Sequence, residues 1–216
     1  MINILFRSLL VLEVKVKLGN MLKPAMALFL ICLIVTAALA FTYNVTKDII
    51  DQRAALDAEN ARKEVLAGAD SFREIENIEN IIGDNPDLKV IKKAYAGLQD
   101  GQVLGYVFSI ACKGYGGEMN ITAGIDSNGK IAGVKIGDNS ETPGLGSKAT
   151  NPKFLSLFKD ITPKEPLKIV KGKKGKPEEI NAVSGATVTS TTIVNAVQAA
   201  LDMSAKLENE GGGSSE

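Results

Sequence analysis

Asn181-Ala-Val-Ser-Gly-Ala-Thr-Val-Thr-Ser190 marks the point where a strand-like run hands over to a helix. Hydroxyls stand at Ser184, Thr187, Thr189, Ser190, Thr191 and Thr192, while Gly185 and Ala186 leave room for close approach to the backbone. A helix that begins here offers free backbone N–H groups and the positive end of its dipole, the arrangement a phosphate needs. The same residues meet a plainer requirement, since Ser and Thr cap most helices. Composition alone favours the cap.

Downstream, Ile193, Val197 and Leu201 recur every four residues without a proline, which predicts a closing amphipathic helix to about Leu207. Residues 209–216 read as a flexible Gly/Ser tail. Upstream, short apolar runs at Val90–Gly97, Val103–Cys112, Met119–Ile125 and Ile131–Ile136 are separated in part by Asp100-Gly101 and Asp126-Ser-Asn-Gly-Lys130. Such turn residues accept the left-handed dihedrals of tight hairpins, so these strands are expected to be antiparallel neighbours. Phe154–Phe158 suits a short helix and Leu167–Val170 a further strand. The fold class is α+β, with a mainly antiparallel sheet and flanking helices.

Two glycine-rich elements lie among these strands. In Glu141-Thr-Pro-Gly-Leu-Gly-Ser-Lys148, Pro143 and two glycines make a tight exposed turn that brings backbone amides to a surface. Glu141, Thr142 and Lys148 are its polar handles. Gly144-Leu-Gly-Ser-Lys-Ala149 matches a dinucleotide fingerprint in letters only, because Pro143 precedes it and Pro152 follows in place of a helical run. A P-loop fails as well, since no glycine stands five residues before a Gly-Lys-Ser/Thr triplet. The other element, Lys113-Gly-Tyr-Gly-Gly-Glu118, is a hairpin connection whose glycines permit positive φ.

Near the N-terminus, residues 24–46 form an uncharged run between Lys23 and Lys47, long enough as a helix to cross a hydrocarbon core of about 30 Å. An uncleaved anchor accounts for its length better than a signal peptide does. Arg7, Lys15, Lys17 and Lys23 precede the span, which places residues 1–23 in the cytoplasm and the domain outside. Residues 47–70 read as a charged helical stalk, and residues 71–208 as the single domain.

Composition closes off several functions. The 216 residues include no histidine and two cysteines, with 25 Lys plus Arg balanced by 25 Asp plus Glu. Histidine-dependent nucleophiles and His-ligated metals are excluded, as are an iron–sulfur cluster and a disulfide framework within this chain. Without a basic cluster, nucleic acid is not an expected partner.

Gly114-Tyr-Gly-Gly117, Glu141-Thr-Pro-Gly-Leu-Gly146 and Ser184-Gly-Ala-Thr-Val-Thr189, in this order behind one membrane helix, resemble the FMN-binding domain family. The resemblance is strongest to the G subunits of Rnf-type ion-translocating electron-transport complexes, relatives of the C subunit of the sodium-pumping quinone reductase, and it covers roughly Lys23 to Leu207. It implies a covalent FMN whose phosphate esterifies Thr187 and which a separate flavin transferase installs. It also implies a cofactor site drawn from Ser184, Gly185, Ala186, Thr189, Ser190, Glu141, Thr142, Gly144, Leu145, Gly146, Lys148 and Tyr115. Thr189, Ser190 or backbone amides would donate to the phosphate, and the ring would extend over the 141–146 turn. Tyr115 is either a ring neighbour or an ordinary tyrosine, and Lys148 either a ligand or a solvated lysine. Asn181 stands where the family usually has Asp, keeping the shape and losing the charge.

The function so implied is electron relay in a ferredoxin:NAD+ oxidoreductase complex of the cell membrane that couples electron flow to Na+ or H+ transport. Its partners would be membrane, iron–sulfur and flavin subunits, together with lipid. The alternative is an anchored extracytoplasmic binding or sensory module in which Thr187 is only a cap.

Overall fold

The computed structural model describes residues 2–172 and 175–211, with side chains over 22–172 and 175–209. The tail expected to be flexible lies outside the described residues from position 212 onward. By contacts the chain divides into two units, Met1–Ala55 and Leu56–Glu216.

Helix α1 is Ile2–Val65. It runs through Pro24, so the boundaries expected at 23/24 and 46/47 fall inside one element. From Leu22 it is long and apolar enough to cross a membrane. Leu28, Phe29, Leu30, Ile31, Leu33, Ile34 and Phe41 are all more than half exposed. A stretch of helix whose large apolar side chains are exposed all round among the described residues suits hydrocarbon rather than water.

In the second unit, five strands form one antiparallel sheet in sequence order: β1 (Ser71–Glu74), β2 (Ile91–Gln99), β3 (Gln102–Lys113), β4 (Glu118–Asp126) and β5 (Ile131–Asn139). Asp100 and Gly101 both take positive φ at the β2–β3 turn, as tight hairpins require. β1 was not expected: four residues with little apolar alternation carry no strand signal of their own, and pairing with β2 creates it. Successive side chains on β3 face opposite ways. Phe108 and Ile110 join Ile121, Ala123 and Ile125 in the main core, whereas Val107 packs with Val65, Leu66 and Tyr95 on the other side.

The main core is closed by helix α4 (Thr187–Gly211), which contributes Ile193, Val194, Val197, Ala200 and Met203. The short helix expected over Phe154–Phe158 is shifted: α3 is Pro152–Leu155, after the lone five-residue α2 (Ile78–Ile82). Asn151 starts α3 by accepting the Lys153 N–H at 3.0 Å, with Pro152 preset for the first turn. The Phe154 and Phe158 rings still pack edge to face. Two short strands, β6 (Lys168–Val170) and β7 (Glu179–Asn181), pair in parallel, an arrangement the hairpin signals gave no reason to expect. Their pairing sets Asn181 beside Val170 and feeds the chain into α4.

On the opposite face of the sheet, the last turn of α1 rests on glycines. A Cβ on Gly133 would lie 2.9 Å from Val65 Cα, and one on Gly124 would overlap the Val65 carbonyl. Arg62 lies 4.4 Å over the Tyr95 ring, and Lys135 pairs with Glu64.

Candidate functional site

Three segments that are distant in sequence meet where β5, the β3–β4 hairpin and α4 end or begin. The chain leaves β5 into Ser140, whose N–H donates to Glu118 O at 3.1 Å, so the 141–148 segment starts beside the hairpin loop. That loop is pinched by the Gly114 N–H donating to Gly117 O at 2.8 Å. Thr192, in the second turn of α4, donates its hydroxyl to Lys113 O at 3.2 Å and ties the helix to the same loop.

Two β-turns of one kind face each other across this junction. In the first, Leu145 N–H donates to Thr142 O at 3.2 Å, with Pro143 second and Gly144 third at φ 79°. In the second, Ala186 N–H donates to Val183 O at 2.9 Å, with Gly185 third at φ 79°. Positive φ at the third position is what type II turns demand and glycine supplies. The turns touch, since the Leu145 side chain lies 3.6 Å from where a Gly185 Cβ would stand. Ser147 Oγ accepts the Gly144 N–H at 2.8 Å and braces the first turn.

Thr187 opens α4 and is half-buried. Ser190 N–H reaches back to Ala186 O at 2.9 Å, so the amides of Thr187, Val188 and Thr189 precede the first closed turn and point out of the helix end. Ser184, Gly185, Thr142, Gly144, Leu145, Lys148 and Tyr115 are exposed, and Ala186 and Gly146 are buried beneath them. Lys148 has no ion pair among the described residues.

Two of the expected phosphate donors lie inside the domain. Thr189 and Ser190 are fully buried, so their hydroxyls do not reach the surface where a phosphate on Thr187 would sit. Ser190 Oγ is already engaged, accepting the Val183 N–H at 3.1 Å and holding the second turn from inside. The signal lay in helical phase: Thr189 stands four residues before Ile193, and Ser190 four before Val194, on the core face. Backbone amides are therefore the phosphate donors that fit.

Val188, 54% exposed, was not anticipated, and neither was Ser147. With Tyr115, 76% exposed, and Leu145, 50% exposed, Val188 gives the junction an apolar surface beside the amides. Free amides for an anion and apolar side chains for a ring are what FMN requires, so the residues present fit this cofactor.

Cys112 lies to one side. It lines a cleft of about 440 Å³ with Asp87, Val90, Lys113 and Asp202, which shares Thr192 with the junction. Burial pushes its thiol up to about 11.

A helix long enough to cross a membrane, followed by an α+β domain with this junction, defines a membrane-anchored protein of the FMN-binding class. Residues 114–202 match the family model for the FMN-binding domain, and residues 15–65 match that for the RnfG N-terminal region. The chain is 33% identical over 189 residues to the G subunit of the Na(+)-translocating ferredoxin:NAD(+) oxidoreductase complex of Acetobacterium woodii, covering 84% of this chain and 90% of that one. It is 31% identical to the G subunit of the ion-translocating oxidoreductase complex of Methanosarcina acetivorans, covering 83% and 92%. The chain belongs to the G-subunit family of ion-translocating oxidoreductase complexes. Its fold is that of the solved NqrC of Shewanella oneidensis, with a TM-score of 0.53 at 22% identity, covering 73% of this chain and 98% of that one.

Proposed function

We propose that this chain is the flavin-bearing electron-relay subunit of a membrane complex that moves electrons between ferredoxin and NAD+ and couples them to Na+ or H+ transport. FMN is held covalently by a phosphoester to Thr187. The observation that carries this is the meeting of the helix start at Thr187 with the 142–147 turn, brought into contact through Leu145 and Gly185. A relative in Clostridium ljungdahlii is the G subunit of a proton-translocating ferredoxin:NAD(+) oxidoreductase complex, which supports the same assignment at 27% identity.

When bound, a flavin supplies one- or two-electron transfer. The protein's own residues do the rest. Thr187 Oγ1 would carry the flavin phosphate as an ester: the hydroxyl proton and the group displaced from phosphorus would leave together when the transferase's flavin donor is cleaved, so the chain would gain one FMN less one water. The amides of Thr187, Val188 and Thr189, with the helix dipole behind them, stabilise the phosphate's remaining charge. Leu145, Val188 and Tyr115 shield a ring from water, while the exposed Thr142 hydroxyl bonds its heteroatoms; the Gly144, Leu145 and Ser147 amides are engaged within the turn and hold its shape. Ser184, Gly185 and Ala186 shape the attachment turn, and Gly146 keeps the ring turn close-packed.

Iron–sulfur and further flavin centres belong to partner subunits, and a flavin transferase matures the site. The N-terminus lies in the cytoplasm and the flavin domain outside, where covalent attachment prevents loss of the cofactor. Co-expression with a flavin transferase followed by intact mass tests the assignment. The expected gain is one FMN less water, absent in Thr187→Val. A wild-type band without flavin fluorescence on a denaturing gel would rule the assignment out.

A further inference from the structure

Beneath the junction lies a carboxylate that the proposed chemistry does not use. Glu141 is 8% exposed although it follows an edge strand and precedes an exposed turn. Its Oε1 accepts the Tyr115 N–H at 2.9 Å, across to the hairpin loop. Its Oε2 is buried and has no partner among the described residues. Both neighbours of the carboxylate are glycines for a steric reason. A Cβ on Gly146 would lie 2.7 Å from Glu141 Cδ and overlap Oε2, and one on Gly114 would lie 3.2 Å from Cδ and overlap Oε1. Real side chains do not come so close, so the carboxylate occupies space that two missing side chains vacate.

A side chain enclosed in this way has no access to a ligand on the surface above it. An Oε2 left without a donor is a desolvation cost, one the fold sustains for the contact Oε1 makes. We infer that Glu141 is a positioning residue: it joins the 114–117 loop to the 142–147 turn from below and sets their spacing, and so the attitude of the flavin ring, without touching the flavin. The last step rests on the flavin assignment above; the strut itself does not.

The experiment has an arm for each. In the full chain in detergent without flavin, amide exchange at Tyr115 should be slow, and Glu141→Ala should speed it about tenfold or more through loss of the Oε1 acceptor. Glu141→Gln keeps both reach and acceptor and should stay within about threefold of wild type. Gly146→Ala should expel the carboxylate and behave as Glu141→Ala does. In flavin-loaded protein all four should show the same mass gain, whereas visible circular dichroism and flavin reduction potential should move in Glu141→Ala and Gly146→Ala and hold in Glu141→Gln. Unchanged Tyr115 exchange in Glu141→Ala overturns the strut. So does a potential that shifts as far in Glu141→Gln as in Glu141→Ala, which would make the charge rather than the reach decisive. If wild type takes up no flavin, the flavin assignment fails while the exchange arm still decides the strut.

Discussion

At the scale of single residues, position within a turn or helix decides which groups reach the surface. Gly144 and Gly185 sit at φ 79°, so Gly144→Ala should destabilise the domain by about 1 kcal/mol through backbone strain alone, read as a lowered denaturant midpoint at unchanged slope. Cys112 makes a pH prediction. Its thiol is raised from the ordinary 9.0 to about 11 by burial, so its thiolate fraction near pH 8 is about a hundredfold below that of a free thiol and alkylation should slow accordingly. The unfolded chain loses this proton first, so the stability Cys112 contributes is intact below pH 9.0 and falls as pH rises toward about 11. A Cys112→Ala variant should lose less stability across that window in urea titrations. Much of the site was legible at this scale, because Pro143-Gly144 and Ser184-Gly185 are turn chemistry that acts locally. The burial of Glu141 was not, since it depends on what packs behind it, whereas that of Thr189 and Ser190 lay in a helical phase that the run of hydroxyls masked.

At the scale of elements, the hairpins were legible for a similar reason. Asp100-Gly101 and Asn128-Gly129 specify turns by dihedral preference, and the flanking apolar runs became β2 to β5 with ends moved by three residues or fewer. β1 was not legible, and neither was the partner of the strand-like run that became β7, because each pairing joins a short strand to another part of the chain. The seat of α1 is an element-level design with a sharp test. Gly133→Val would drive a branched side chain into the Val65 backbone and should cost about 1–3 kcal/mol by overpacking. Lys135→Ala removes only an exposed pair with Glu64 and should cost less than about 1 kcal/mol. Equal melting-temperature shifts for the two would show that the glycines are not a seat.

At the scale of the whole molecule, the globular unit begins inside α1, at Leu56, rather than where the sheet begins. A chain starting at Leu56 should therefore fold with native near-ultraviolet circular dichroism. One starting at Ala67 lacks Val65 and Leu66, which pack with Tyr95 and Val107, and should melt several degrees lower. The membrane segment and class of fold were legible from apolar length and turn spacing. The parallel β6–β7 pair was not, since nothing local encodes it. One consequence follows from the way the junction is assembled. Its walls come from residues 114–117, 141–147 and 184–192, and no continuous stretch contains them all. The junction is thus complete only when the hairpin, β5 and α4 have all docked, in a fold rich in distant contacts. On the proposed reading, a flavin seated there would report that these three segments have docked.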